Sequence, residues 1–162
     1  NGLKLTIDLS NDKKICAYKS KVNAPLINFS KSKFHDHRNY WEPIKPRNKS
    51  LIIKKNNFYI LKSKEKICIP PNLAGEMVPY DTGIGDFRVH YAGFFDPGFG
   101  YSRGAFAVLE VKTHEVSFVI EDGQTIARIQ YEKLNKSSTM LYGKKLNSNY
   151  QSQKLALSKH FI

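Results

Sequence analysis

No stretch of this sequence comes near the roughly 18 consecutive apolar residues that a membrane-spanning helix needs. The chain opens on Asn1 rather than Met, and no apolar signal-peptide core follows. It therefore reads as a fragment or a trimmed chain. Cysteine is scarce: Cys16 and Cys68 are the only two, each in an apolar, strand-like setting. They read as buried thiols of a reducing cytoplasm, with a single disulfide as the alternative. Gly98-Phe99-Gly100 opens no helix and no Gly-Lys-Ser/Thr follows, so the sequence lacks dinucleotide and Walker signatures. There is no Gly-x-Ser-x-Gly elbow and neither cysteine has a catalytic setting, which leaves nucleophilic catalysis unsupported. His35 and His37 flank Asp36, but no second His/Cys cluster lies at ligand spacing, and the zinc-deaminase signature is missing. No protein-bound zinc is expected.

What is present suits one soluble domain. The chain has 162 residues, 41% of them hydrophobic and 25% charged, enough to bury a core without disulfides. The net charge of +12 is uneven. Residues 1–70 hold 16 Lys and Arg against 5 Asp and Glu, and residues 71–162 hold 10 against 9. The excess is mostly lysine in an Asn- and Ile-rich stretch. Compositional bias with solvated lysines is one reading. A nucleic-acid patch is another, but it would carry more arginine than Arg38 and Arg47 and would interleave aromatics. A polyphosphate ligand, which needs only a few cations in one place, is the third. Nucleic-acid binding is not expected.

Short alternating segments dominate. Strands are expected over 3–9, 14–18, 50–54, 58–62, 67–70, 74–79, 86–92, 105–112, 115–120 and 125–131. The pairs 50–54 and 58–62 flank the turn Lys55-Asn56-Asn57, and Pro70-Pro71 stops 67–70. Residues 19–49 read as an irregular arm with three prolines, pinned by Trp41. The tail 135–162 reads as loops with one short helix. This is an all-β pattern, a sandwich, jelly roll or barrel, with turns every eight to twelve residues. Three parts are expected: an arm at 1–49, a β core at 50–134 and a lid-like tail at 135–162.

Two segments could carry chemistry. In 87–112, Asp96-Pro97-Gly98 is a turn between aromatic-rich strands, with Pro presetting φ and Gly supplying a positive φ. A plain hairpin is the simplest reading. On the following strand, Glu110 interrupts an apolar run and shares a face with Val108 rather than with Leu109 and Val111. A carboxylate among apolar neighbours tends to a raised pKa, useful for a general base. An outward-facing Glu on a one-sided strand fits equally. In the tail, Tyr142, Asn149, Tyr150 and Gln153 cluster in a Gly-containing segment that suits a lid over a ligand. Leu155, Leu157 and Phe161 give that tail apolar anchors, against the alternative of a disordered terminus.

These segments resemble a known family. FYILKSKEKICIPPNLAGEM, VHYAGFFDPGFG with AVLEV, and YGKKLNSNYQSQ occur in the order of the entry strand, nucleotide hairpin and C-terminal lid of dCTP deaminases, a branch of the dUTPase-like superfamily. The resemblance runs from about Asn57 to Gln153. With LTIDLS, WEPI and LSKHF it is most similar to the C-terminal half of the long, two-repeat deaminases of alphaproteobacteria. It implies a distorted jelly roll of the β-clip type that forms a trimer, or a pseudo-trimer of repeats, with sites between subunits. It implies deamination of dCTP to dUTP in the cytoplasm without protein-bound zinc, Mg2+ arriving on the triphosphate.

Carried over by position, Glu110 falls on the general base and Asp96 and Phe99 on the residues beside the sugar. Val108 and Leu109, with Ala92, fall on backbone that reads the base. Tyr142 and Gln153 fall on lid residues. Three departures stand out. The family's Ser-Ser-x-x-Arg phosphate loop is replaced by Val78-Pro79-Tyr80-Asp81-Thr82-Gly83, where Asp81 would repel a triphosphate. A lid lysine is Asn149. The hairpin is longer within Gly100–Gly104, and its usual arginine is Phe94. Arg88 and Arg103 are the candidates for compensating the lost phosphate contacts. The remaining readings are a dUTP pyrophosphatase or bifunctional enzyme, and a non-catalytic repeat that builds the trimer.

Overall fold

The computed structural model describes residues 2–79, 88–90, 94–101, 103–113, 115–143, 150–151 and 154–162, with backbone alone at 79 and 88–90. Among them run eleven strands: β1 (Leu3–Thr6), β2 (Ala17–Ser20), β3 (Trp41–Ile44), β4 (Ser50–Ile53), β5 (Phe58–Ile67), β6 (Leu73–Pro79), β7 (Arg88–His90), β8 (Phe94–Phe95), β9 (Ala105–Lys112), β10 (Phe118–Glu121) and β11 (Thr125–Lys133). A single 3-10 turn, His37–Asn39, is the only helical piece among these residues, and no helix is long and apolar enough to cross a membrane. All paired strands are antiparallel. One sheet has the order β3-β2-β5-β9-β7, a second β1-β11-β6-β8, and β4 and β10 form a separate ribbon. The protein is all-β, as its alternating pattern implied.

Alternation decides which side of each strand is buried. In β9 the residues Ala105, Ala107, Leu109 and Val111 are buried, while Phe106, Val108, Glu110 and Lys112 point the other way. Leu61 and Leu109 from the five-stranded sheet, Leu5 and Ile129 from the four-stranded sheet, and Ile53 and Ile120 from the ribbon join one hydrophobic cluster. The three sheets thus enclose a common core. Leu5, Ile7 and Leu9 lie in it, so the first strand of the arm is built into the body.

Several local expectations change. Residues 50–54 and 58–62 do not pair, although the turn between them forms, with Asn57 N–H donating to the Lys54 carbonyl at 3.2 Å. Both flanks of β5 are already taken, by β2 and β9, so β4 pairs with β10 instead. Residues 67–70 are not a separate strand. β5 continues to Ile67 through a register shift between Lys62 and Lys66. The buried Ser63 hydroxyl stabilises that shift, accepting from Ala107 N–H at 2.9 Å and donating to the Glu65 carbonyl at 2.7 Å. The arm is not wholly irregular, because Trp41–Ile44 pairs with β2. β3 is an edge strand, where Pro43 costs no ladder hydrogen bond. No helix occurs in the described part of the tail.

Both cysteines are free thiols. Burial pushes the Cys16 thiol up to about 11. The His35-Asp36-His37 cluster is structural. The Asp36 carboxylate caps the 3-10 turn and pairs with Arg38, which holds its pKa down to about 2. His35 is buried within an aromatic group.

Candidate functional site

The Asp-Pro-Gly segment is not a simple hairpin. It leaves β8, which pairs with β6 in one sheet, and leads to β9, which pairs with β5 in the other. The turn itself forms as its residues dictate, with Phe99 N–H donating to the Asp96 carbonyl at 3.0 Å and Gly98 at φ 96°. It is held from below by Ile69, whose N–H donates to the Phe99 carbonyl and whose carbonyl accepts from Gly98 N–H, each at 2.9 Å. From above, Tyr142 N–H donates to the Pro97 carbonyl at 2.9 Å and the Gln151 side-chain amide to the Gly98 carbonyl at 2.9 Å. Gly98 is required for this approach. A Cβ there would lie 2.9 Å from both Leu141 Cβ and the Tyr142 nitrogen.

Between this turn, the outer face of β9 and the tail lies a cleft of about 360 Å³. Its lining brings together Asp96, Phe99, Val108, Glu110 and Tyr142, five residues that the sequence placed in the site. Glu110 is exposed and sits opposite Ile60 on β5 and His90 on β7. Its carboxylate is therefore open to water and to a ligand rather than sealed in an apolar pocket. Phe99 is buried and packs between Phe95 and Tyr142, with ring centroids 5.0 and 5.6 Å away. Burial, with the neighbouring Asp96 charge adding to it, raises the Tyr142 phenol.

The remaining expected residues fall elsewhere. The Leu109 side chain is buried in the core, and its backbone faces β5 opposite Leu61, as that of Ala107 does, so Leu109 itself is turned away from the cleft edge. Val108 offers more. Ala107 N–H points toward β5, to Ser63, so alternation turns the backbone groups of Val108 to the opposite edge of β9. Among the described residues β7 accompanies that edge only from Lys112 to Glu110. Arg88 is placed by register alone, opposite Lys112.

Arg103 is exposed and is not part of the cleft lining. Gly100 and Gly104, which bound the extra residues, lie against the end of β5. A side chain on Gly100, at φ 64°, would collide with the Ile67 carbonyl. Ala92, Asp81, Asn149 and Gln153 lie outside the described residues.

Tyr150, read from the sequence as part of the lid segment, is in the lining; Ile60, Met77, Phe95, Ala156, Leu157 and Ser158 share it with Phe94 and were not assigned to the site by sequence reasoning. Ile60 was recoverable in principle as the cross-strand neighbour of Glu110, given the pairing of β5 with β9. For Ala156, Leu157 and Ser158 the place in the site depends on contacts with the distant arm, which the local sequence does not encode. Chemically, the cleft offers an aromatic wall, two carboxylates and a β9 edge that, among the described residues, is accompanied by β7 only from Lys112 to Glu110. Its described lining includes no lysine or arginine. Among the described residues no group of three His, Cys, Asp or Glu is placed to hold a metal ion.

The chain matches the family described as 2'-deoxycytidine 5'-triphosphate deaminase (DCD), C-terminal domain, over residues 1–161. No curated protein matches it. Among solved structures it is similar to 2'-deoxycytidine 5'-triphosphate deaminase from Agrobacterium tumefaciens, at 42% identity and a TM-score of 0.81. That alignment covers 91% of this chain and 45% of the other, so the chain spans less than half the length of this neighbour. With a dUTPase-like all-β fold and a family match along nearly its whole length, the chain belongs to the dCTP deaminase C-terminal domain family.

Proposed function

We propose that this chain is the C-terminal repeat of a dCTP deaminase and that its cleft receives the nucleoside part of dCTP. The observation that carries this reading is the convergence of Glu110, Asp96, Phe99, Val108 and Tyr142 on one cleft from three separate segments. Glu110 takes a proton from water, and the resulting hydroxide attacks C4 of cytosine. The carboxyl then returns the proton to the amino group, ammonia leaves, and dUTP remains. Phe99 and Asp96 stand beside the sugar. Backbone groups of Val108, with those of Ala92, distinguish an exocyclic amine from an oxygen, while those of Leu109 face β5. Gln153 and Tyr142 belong to the part that covers the substrate. Mg2+ comes with the triphosphate, bound mainly by phosphate oxygens.

A second reading is supported by charge. The described lining holds two carboxylates and no cation, a poor match to a triphosphate. We infer that phosphate contacts come from another half or another subunit, within a trimer or pseudo-trimer of such repeats in the cytoplasm. Light scattering that shows a monomer of the full-length protein at working concentration would overturn the assembly. The same charge argument disfavours dUTP pyrophosphatase activity, in which water attacks phosphorus and the phosphate grip matters more. Full-length protein incubated with dCTP and Mg2+ is expected to release ammonia and dUTP without pyrophosphate. Stoichiometric pyrophosphate would make the enzyme bifunctional, and the absence of ammonia would end the deaminase reading.

A further inference from the structure

One wall of the cleft has no sheet of its own. Tyr150, Ala156, Leu157 and Ser158 line it, and none of them belongs to a strand. What holds this wall lies beyond it, where the tail meets the N-terminal arm. Lys33 N–H donates to the Lys159 carbonyl at 2.8 Å, and the N–H groups of Phe34 and His35 both reach the His160 carbonyl at 3.0 Å. Ile162 N–H donates to the His35 carbonyl at 2.9 Å, and His35 and Phe161 form a parallel bridge. Lys159 links the two regions, because its own N–H donates to the Tyr150 hydroxyl at 3.4 Å.

An aromatic cluster locks this junction. The Phe161 ring meets Tyr40 at 5.2 Å, Trp41 at 6.0 Å and His35 at 6.4 Å between centroids. Trp41 in turn packs on Phe58 of β5, the strand that also gives Ile60 to the cleft. The imidazole is fixed at both nitrogens. His35 Nε2 lies 3.0 Å from Asn28 N–H and 3.3 Å from the Asn28 carbonyl, and Nδ1 lies 3.0 Å from the Tyr40 hydroxyl. That hydroxyl donates to the Leu26 carbonyl at 3.3 Å. The arm is thereby tied to the tail and both to β5.

We infer that the clasp of His35, Tyr40, Trp41 and Phe161 is a positioning element for substrate binding: it sets the tail wall of the cleft from a distance, without touching substrate. This rests on the proposed deaminase reading. Loss of the clasp leaves Tyr150 and Leu157 to be ordered at the moment of binding, so the effect falls on KM while chemistry at Glu110 continues.

The test uses full-length protein carrying Phe161→Ala, Tyr40→Phe or Phe161→Tyr. Phe161→Ala is expected to raise KM for dCTP about tenfold, the cost of ordering two side chains, with kcat changed less than about twofold. Tyr40→Phe, which keeps the ring and its packing, shifts KM in the same direction by less, and Phe161→Tyr restores it. In parallel, Phe161→Ala speeds tryptic cleavage after the exposed Lys154 and Lys159. Ile120→Val, a core change in the β4–β10 ribbon, controls for general destabilisation and should move neither readout. Faster cleavage with unchanged KM would overturn the positioning role. Unchanged cleavage would overturn the clasp itself. If wild type releases no ammonia, the deaminase reading falls, and cleavage alone decides the clasp.

Discussion

Glu110→Gln is expected to leave the fold intact and to lower deamination by about 10²–10⁴-fold, the usual cost of losing a general base. The side chain is exposed on the solvent side of β9, so the carboxamide disturbs no core contact. Its neighbours in the cleft, Ile60 and Val108, accept an isosteric amide without an unpaired buried charge. Thermal unfolding should therefore match wild type within the range of surface substitutions. KM should change little while kcat falls, because the amide can still hold a water but cannot take its proton. Ammonia release by the full-length variant at the wild-type rate would remove Glu110 from the chemistry.

A second large effect is expected for residues 1–162 on their own. They should bind dCTP at least about a hundredfold more weakly than the full-length protein and turn it over poorly. A triphosphate brings several negative charges to a cleft whose described lining carries Asp96 and Glu110 and no cation. Charge-assisted hydrogen bonds contribute roughly 1.5–3 kcal/mol each, so two missing contacts cost about 3–6 kcal/mol. That range corresponds to a hundredfold or more in affinity. Arg103, the candidate for offsetting it, is exposed and not part of the cleft lining, and Gly100 and Gly104 on either side of it lie against the end of β5. Titration calorimetry with dCTP and Mg2+ checks this directly. Micromolar binding by the isolated chain would mean that its pocket is complete.

The all-β fold was legible because strand signals are local. The alternation in Ala105–Lys112 identifies a one-sided strand and separates Glu110 from the buried Leu109 without knowledge of its partners. The Asp96-Pro97-Gly98 turn was legible for the same reason. Its destination was not. Proline and glycine fix a bend, but which sheet receives β8 depends on Gly75 and Glu76 of β6, far away in sequence. At β4 and β5 the turn was legible but the pairing was not, since both flanks of β5 are occupied by β2 and β9.

The site was half legible. Five of its residues were found because the family resemblance supplied roles for motifs that composition alone left ambiguous, and Glu110 shows the limit of the residue-level argument. Its apolar sequence neighbours suggested a sheltered carboxylate, yet alternation sends Leu109 and Val111 to the core and leaves Glu110 exposed. The tail was legible as a covering segment with Tyr142 and Tyr150 and with Leu157 and Phe161 as anchors, but not where its wall would stand. The place of Ala156, Leu157 and Ser158 follows from Phe161 meeting Tyr40 and Trp41 across more than a hundred residues of chain, which no local pattern encodes.

The most direct measurement is a crystal structure of the full-length Glu110→Gln protein soaked with dCTP. The account predicts cytosine in the cleft, its C4 beside residue 110, its edge against the Val108 backbone and its sugar against Phe99. The phosphates should lie on cations from outside residues 1–162. Nucleotide bound solely in another part of the protein, with this cleft filled by solvent, would contradict the account.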